Sequence, residues 1–187
     1  MIRIARDLLV MGTAALALTA CDSGSVPSPS ERLEQGGAAI AEEVAADAIE
    51  LRGDGLVAGV EAFYFSAGQV EVTTALMAIL GDPLDSGRQE ECGAGPIDYV
   101  NFDGGFSVNF QEGGLVGWFT RSASKNVQLA GEIQIGTPHD EAAAIEGFQA
   151  FEGSTLGEEF SLGSNVGGII DDDAVAVLYA GTQCFFR

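Results

Sequence analysis

Between residues 97 and 120 apolar and polar positions alternate, broken only where glycine and acidic residues cluster. Phe106, Val108 and Phe110 are separated by Ser107 and Asn109, the period of two of a strand with one buried and one wet face. Strands are predicted over 96–102, 106–110 and 115–120, joined by turns at Asp103-Gly104 and Glu112-Gly113-Gly114. Such strands make an antiparallel meander. On the third, alternation groups Trp118 with Val116 and Thr120, and Leu115 with Gly117 and Phe119, so one face presents an aromatic ring.

Ahead of this meander the period changes. Val72, Ala75, Leu76, Ile79 and Leu80 recur at helical spacing, Ser66 and Gln69 have the offset of a capping box, and Gly81 and Pro83 end the helix. A second series starts at Ile133-Gln134-Ile135-Gly136-Thr137, with Pro138 predicted at the first helical position, Asp140 as a capping acid, a short helix over 141–146 and Gly147 closing it. Strands are then predicted over 166–170, 174–180 and 183–187, with turns at Asp171-Asp172-Asp173 and Gly181-Thr182. Aligning 102–106 with 170–174 superposes the two series. The expected fold class is therefore α+β, two helix-plus-antiparallel-meander units (about 60–120 and 131–187) in one domain spanning 38–187.

Residues 38–48 are rich in alanine and glutamate, with Ile40 and Val44 on one side, and predict a short helix behind Gly36-Gly37. Gly53-Asp54-Gly55-Leu56-Val57-Ala58 matches a dinucleotide-binding spacing. It lacks the preceding apolar strand and the following helix, so a glycine turn between two short strands is expected.

The first twenty residues carry an address. Arg3 and Arg6 precede an apolar run over 8–18, too short for a permanent span of about 20 residues, and Leu18-Thr19-Ala20-Cys21 follows. That order predicts a cleaved secretory signal over 1–20. Its last four residues resemble the lipobox of bacterial lipoproteins, which implies that Cys21 becomes the lipidated first residue. Residues 21–37 follow as a polar, disordered tether. The expected location is the periplasmic side of a bacterial membrane, held by lipid on Cys21.

The chain has 28 acidic and 8 basic residues, a net charge of −20, and loss of Arg3, Arg6 and Asp7 with the signal would leave −21. Nucleic acid, whose binding rests on lysine and arginine displacing counterions, is excluded as a partner. With Cys21 lipidated, Cys92 and Cys184 remain as an even pair in an oxidising compartment and are expected to form a disulfide; a free catalytic thiol at Cys92 is the rival reading.

Ile133 to Thr137 and Leu80-Gly81-Asp82-Pro83 resemble the helix approach and helix exit of the module found in small outer-membrane-assembly lipoproteins (the SmpA/OmlA type) and in proteins of the β-lactamase inhibitor protein type. The resemblance covers about 60–187 and implies binding modules without catalysis. Glu90-Glu91-Cys92-Gly93-Ala94-Gly95-Pro96 and the last eight residues also resemble a family of small lipoproteins, some members of which carry an aspartate-semialdehyde dehydrogenase label. Such an enzyme needs a nucleotide-binding βαβ unit and two full domains, for which this chain has neither the fingerprint nor the length.

Little other chemistry is on offer. His139 is the only histidine and stands at a helix start, so it is expected to be exposed and structural; pairing with Cys92 in a small periplasmic enzyme is the alternative. Asp171-Asp172-Asp173 lacks the remaining calcium-loop ligands and predicts a solvated turn. Glu158-Glu159 and Glu90-Glu91 are likewise expected to be solvated. No metal or cofactor is implied. Tyr99 and Trp118 are the candidates for a binding face on the first meander. The expected function is binding or scaffolding of an envelope protein, alternatively inhibition of a secreted enzyme.

Overall fold

The computed structural model describes residues 45–163 and 165–185. The signal, Cys21, the tether and most of the helix predicted over 38–48 lie outside the described residues, and 45–48 form a turn closed by Ala48 N–H donating to Ala45 O at 2.8 Å.

The described chain is mainly β and not clearly a pair of α+β units: its strands form two sheets, and it has two α-helices. β1 (Ile49–Arg52), β2 (Gly55–Ala58) and β3 (Glu61–Tyr64) form hairpins, the first around the expected glycine turn. Helix α1 (Gln69–Leu80) leads to β4 (Asp85–Gln89), β5 (Ile97–Phe102), β6 (Phe106–Gln111) and β7 (Gly114–Thr120). After β8 (Val127–Leu129) and helix α2 (His139–Ala143) come β9 (Phe148–Phe151), β10 (Glu158–Leu162), β11 (Val166–Asp171) and β12 (Ala174–Gly181).

The large sheet has eight strands in the order β4-β5-β6-β7-β12-β11-β10-β9, all antiparallel. The small sheet runs β3-β2-β1-β8, with β1 and β8 parallel. One apolar core joins them. Phe102, Phe106, Val108, Phe110, Trp118, Phe160 and Leu178 bury the inner face of the large sheet, and Leu51, Leu56, Val72, Leu76 and Ala142 come from the small sheet and the helices. Helix α1 buries Val72 and Leu76, four residues apart on one face, as its spacing predicts.

Several expectations are corrected. Ser66 is not the cap of α1: its backbone stands at φ 84°, Gly68 is at the N-cap, and no side chain caps the helix. Pro138 is at the N-cap of α2 and not its first turn, and the Thr137 hydroxyl accepts from Gln134 N–H at 2.9 Å. The polar segment after α1, for which the alternation predicts no strand, contains β4; its sequence has no apolar alternation because an edge strand is wet on one side and needs only one partner. Residues 183–185 are not a strand.

The turn alignment slips by one hairpin. β6 and β7 turn at Glu112-Gly113 (φ 52° and 81°), and β11 and β12 turn at Asp172-Asp173 (φ 49° and 64°). Both are two-residue turns with both φ positive, the geometry that matches strand twist. The segments before the two helices make matching bonds. Ser66 N–H donates to Leu115 O, Leu115 N–H to Ala67 O and Gln69 N–H to Gly113 O; Gly136 N–H donates to Val175 O, Val175 N–H to Thr137 O and His139 N–H to Asp173 O. Matching bulges follow, with Val116 extra opposite β6 and Ala176 extra opposite β11.

The first bulge overturns the face expected for Trp118. By skipping Val116 it brings Leu115 and Trp118 to the same inner side. Trp118 is wholly buried, and its indole N–H donates to Arg52 O at 2.7 Å, joining large sheet to small. It is core, not binding surface. Replacing Trp118 with Phe should leave the Arg52 carbonyl without its donor and open a gap, lowering unfolding free energy by about 2–4 kcal/mol in urea titration. A change below about 0.5 kcal/mol would show that this bond does not join the sheets.

Candidate functional site

The other face of the large sheet is not covered by either helix. Its residues alternate with the core set: Gly87 on β4, Tyr99 and Asn101 on β5, Ser107 and Asn109 on β6, Phe119 on β7, Tyr179 on β12, Gly167 on β11 and Glu159 on β10. Tyr99, named in the sequence as a candidate, stands here half-buried.

Two glycines shape this face. Gly87 is paired with Tyr99 and Gly167 with Tyr179. A Cβ on Gly87 would lie 2.6 Å from the Tyr99 hydroxyl, and one on Gly167 would lie 2.4 Å from the Tyr179 ring. Each tyrosine therefore lies across the neighbouring strand in space that only glycine leaves, and the rings form a flat surface instead of standing off the sheet.

Tyr179 reaches over Gly167 to β10, where its hydroxyl donates to Glu159 Oε1 at 2.5 Å, while Ser154 Oγ donates to Oε2 at 2.6 Å. Glu159 is only 2 % exposed. The expectation that Glu158 and Glu159 are both solvated is therefore corrected for Glu159. Consecutive strand residues face opposite ways, and this pair puts one carboxylate in water and the other under the 152–157 loop. A buried carboxylate is tolerated when donors satisfy it, as Tyr179 and Ser154 do.

The segment after β12, through residue 185, crosses the same face. Gly181 turns at φ 70°, Thr182 N–H donates to Val116 O at 2.7 Å, and Asn109 Nδ2 donates to Thr182 O and Gln183 Oε1, both at 3.0 Å. Gln183 Nε2 donates to Trp118 O and Ala180 O. Gly117 makes the crossing possible, since a Cβ there would lie 2.6 Å from Thr182 O. Phe185 then sets its ring edge-on to Tyr179 (centroids 5.0 Å) and to Phe119 (6.4 Å). Beside it opens a cavity of about 340 Å³, lined by Tyr99, Asn101, Ser107, Asn109, Phe119 and neighbours, none of them charged.

Cys92 and Cys184 meet at the rim of this cavity. Both are free thiols, close enough for the Cys92 side chain to hydrogen-bond Cys184; Cys92 is buried, with its Sγ 4.0 Å from Gln183 O. Burial, the hydrogen bond with Cys92 and its charge push the Cys184 thiol up to about 11. On the edge strand, Arg88 lies between Asp98 (3.1 Å) and Glu90 (2.9 Å), whose charges raise its pKa further.

His139 belongs to different surroundings. Its Nε2 is 3.2 Å from Glu158 Oε1 and its Nδ1 3.9 Å from Asp173 Oδ1, and its ring faces Phe148. Cys92 is among none of these contacts. Among the described residues no three His, Cys, Asp or Glu side chains converge to hold a metal ion, and no helix is long and apolar enough to cross a membrane.

Tyr179 and Phe185 are not singled out in the sequence, and neither Phe119 nor Glu159 is assigned there to a shared face, although the Gly167-Gly168 pair inside an apolar strand signals a close approach from a neighbour. Compared with family models, with curated proteins and with solved structures, the chain matches none.

With both thiols reduced, alkylation of Cys184 should run about 100-fold slower at pH 8 than that of an unperturbed cysteine, because its folded pKa stands near 11 against an ordinary 9.0. The folded state holds the proton longer than the unfolded one, so stability should fall as pH rises from about 9 towards 11. Peptide mapping after timed alkylation checks the first point, and equal rates would contradict the close approach of Cys184 to Cys92.

Proposed function

We propose that this is a lipid-anchored protein of the bacterial cell envelope, facing the periplasm, that acts by binding or scaffolding another envelope protein and carries out no catalysis. The observation that carries the reading is the outer face of the large sheet: aromatic rings, amides and hydroxyls around an uncharged cavity, on a chain of net charge −20. Charge depletion with tyrosine and phenylalanine enrichment is the composition of an interface centre. The acidic remainder repels anionic surfaces and favours partners with a basic rim. The lipobox at Leu18 to Cys21 supports the anchor, and the polar stretch after it gives the folded body reach.

In this reading the large sheet is two copies of one helix-and-meander unit set side by side. The matched bonds before each helix, the matched turns and the matched bulges favour it. Cys92 and Cys184 are joined in the mature protein. Each thiol gives up a hydrogen to a disulfide oxidant of the compartment, and the bond closes a long loop worth about 4–5 kcal/mol in the loop-entropy account. Their adjacency supports it.

Three measurements test this. A photo-crosslinker at Tyr99 in intact cells should capture one envelope protein, with capture lost in Phe119→Asp; equal capture from Thr74 on α1 would sink the face assignment. Should that protein be a secreted enzyme whose activity drops on binding, the same surface acts as an inhibitor. Cys21→Ser should move the protein from the membrane to the soluble fraction, and continued membrane retention would remove the anchor. The non-reduced protein should resist alkylation at Cys92 and Cys184 until a reductant is added.

A further inference from the structure

Helix α1 carries more apolar surface than the core takes. Val72 and Leu76 are buried, yet Val70, Ala75, Ala78 and Ile79 add a second apolar stripe beside them, and Glu71 is the one charged side chain of the helix. A helix side that faces water is ordinarily charged, so this stripe has the composition of a covered side. It borders an open cavity of about 540 Å³ that is lined also by Ala58, Gly59 and Val60 of the β2–β3 hairpin. Val70 is 75 % exposed and Val60 83 %, which leaves apolar surface in water on both sides of the cavity. The chain itself enters here. Ala46 belongs to the lining, Gly59 N–H donates to Ala48 O at 2.8 Å, and a Cβ on Gly59 would lie 2.9 Å from Ala46 O, so the 45–48 turn is fixed against the hairpin. The sequence just before that turn reads Ile40-Ala41-Glu42-Glu43-Val44. At helical spacing Ile40, Ala41 and Val44 share one side, and Glu42 and Glu43 fall on the other.

We propose that residues 40–44 dock as a helical turn in the cavity between α1 and the β2–β3 hairpin, with Ile40 and Val44 set against Ala75, Ala78 and Ile79. Charge favours this occupant over others. Glu61 and Glu71 stand at the cavity and repel a second copy of a chain of net charge −20, as they repel an anionic lipid surface, whereas the segment turns its own carboxylates outward. The segment is covalently joined to the cavity's edge, so it meets the site at an effective concentration on the order of millimolar. A helix this short does not hold in water by itself, and its order comes from the cavity. Docking keeps the entry of the chain on the helix side of the fold and off the outer face of the large sheet. The inference stands independently of the lipid anchor and of what binds that face.

The test uses the full chain in two ways. A photo-crosslinker at Ala78, activated in intact cells, should link to the peptide containing residues 40–44 of the same chain, and Ile40→Asp with Val44→Asp should abolish that link. A link to a second copy, to another protein or to lipid overturns the proposal, as does no link above that of the doubly substituted chain. Hydrogen exchange of the purified full chain, read by mass spectrometry, supplies the second measurement. Amides 41–44 should exchange at least about tenfold more slowly than in the doubly substituted chain, while the amides of β5, β6 and β7 exchange alike in both and certify the fold. Equal rates at 41–44 overturn the proposal. Val44→Lys alone is run beside the double substitution, so that poor folding of one variant does not decide the result. Failure to crosslink an envelope partner at Tyr99 would instead count against the broader reading and leave this result intact.

Discussion

The pairing of β7 with β12 is the constraint on which the rest depends. Four residue pairs, Leu178 with Thr120, Tyr179 with Phe119, Ala180 with Trp118 and Gly181 with Gly117, join two four-stranded halves into one sheet. The same pairs sort side chains to both sides. Trp118, Thr120, Leu178 and Ala180 go to the core, while Phe119 and Tyr179 stand together on the outer face. A slip of one residue would exchange these sets, exposing the indole and burying the tyrosine hydroxyl away from Glu159. Core and surface are thus fixed by one register.

Much of this was legible wherever one face of an element is apolar. The strands around Phe106 and the helix around Val72 follow from periodicity, and the glycine turn at Gly53 to Gly55 from the short apolar runs on either side. Elements that lack an apolar face stayed hidden. β4, with Asp85, Ser86, Gly87, Arg88 and Gln89, is held by backbone pairing to β5, which no side-chain pattern reports. The inward turn of Trp118 was illegible for another reason. A single extra residue, Val116, shifts the alternation by one, and nothing in Leu-Val-Gly-Trp distinguishes a bulged strand from a regular one. The outer face depends on long-range pairs such as Gly167 with Tyr179, where the space is visible only once the strands are neighbours.

The acidic composition and the neutral face belong to one design. Twenty-eight carboxylates keep copies of the chain apart through mutual repulsion. Against that field, Glu159, the one acid among the described residues found deep on the outer face, is screened by the 152–157 loop and by hydrogen bonds from Tyr179 and Ser154. A charge there would otherwise face the aromatic rings directly. The glycines at 87, 117 and 167 let rings and tail lie close to the sheet, so the surface is flat as well as neutral.

The parallel pairing of β1 with β8 sets Ile49 beside Val127, and every strand from β2 to β7 lies within the loop it closes. That closure costs chain entropy before it yields any contact, so the first half of the large sheet is the natural template on which the small sheet assembles. Until β12 arrives, β7 is a bare sheet margin carrying Trp118 and Phe119, the kind of edge to which strands of other molecules add. The carboxyl-terminal half therefore covers the edge of the amino-terminal half, and truncations between α2 and β12 would leave that edge open to aggregation.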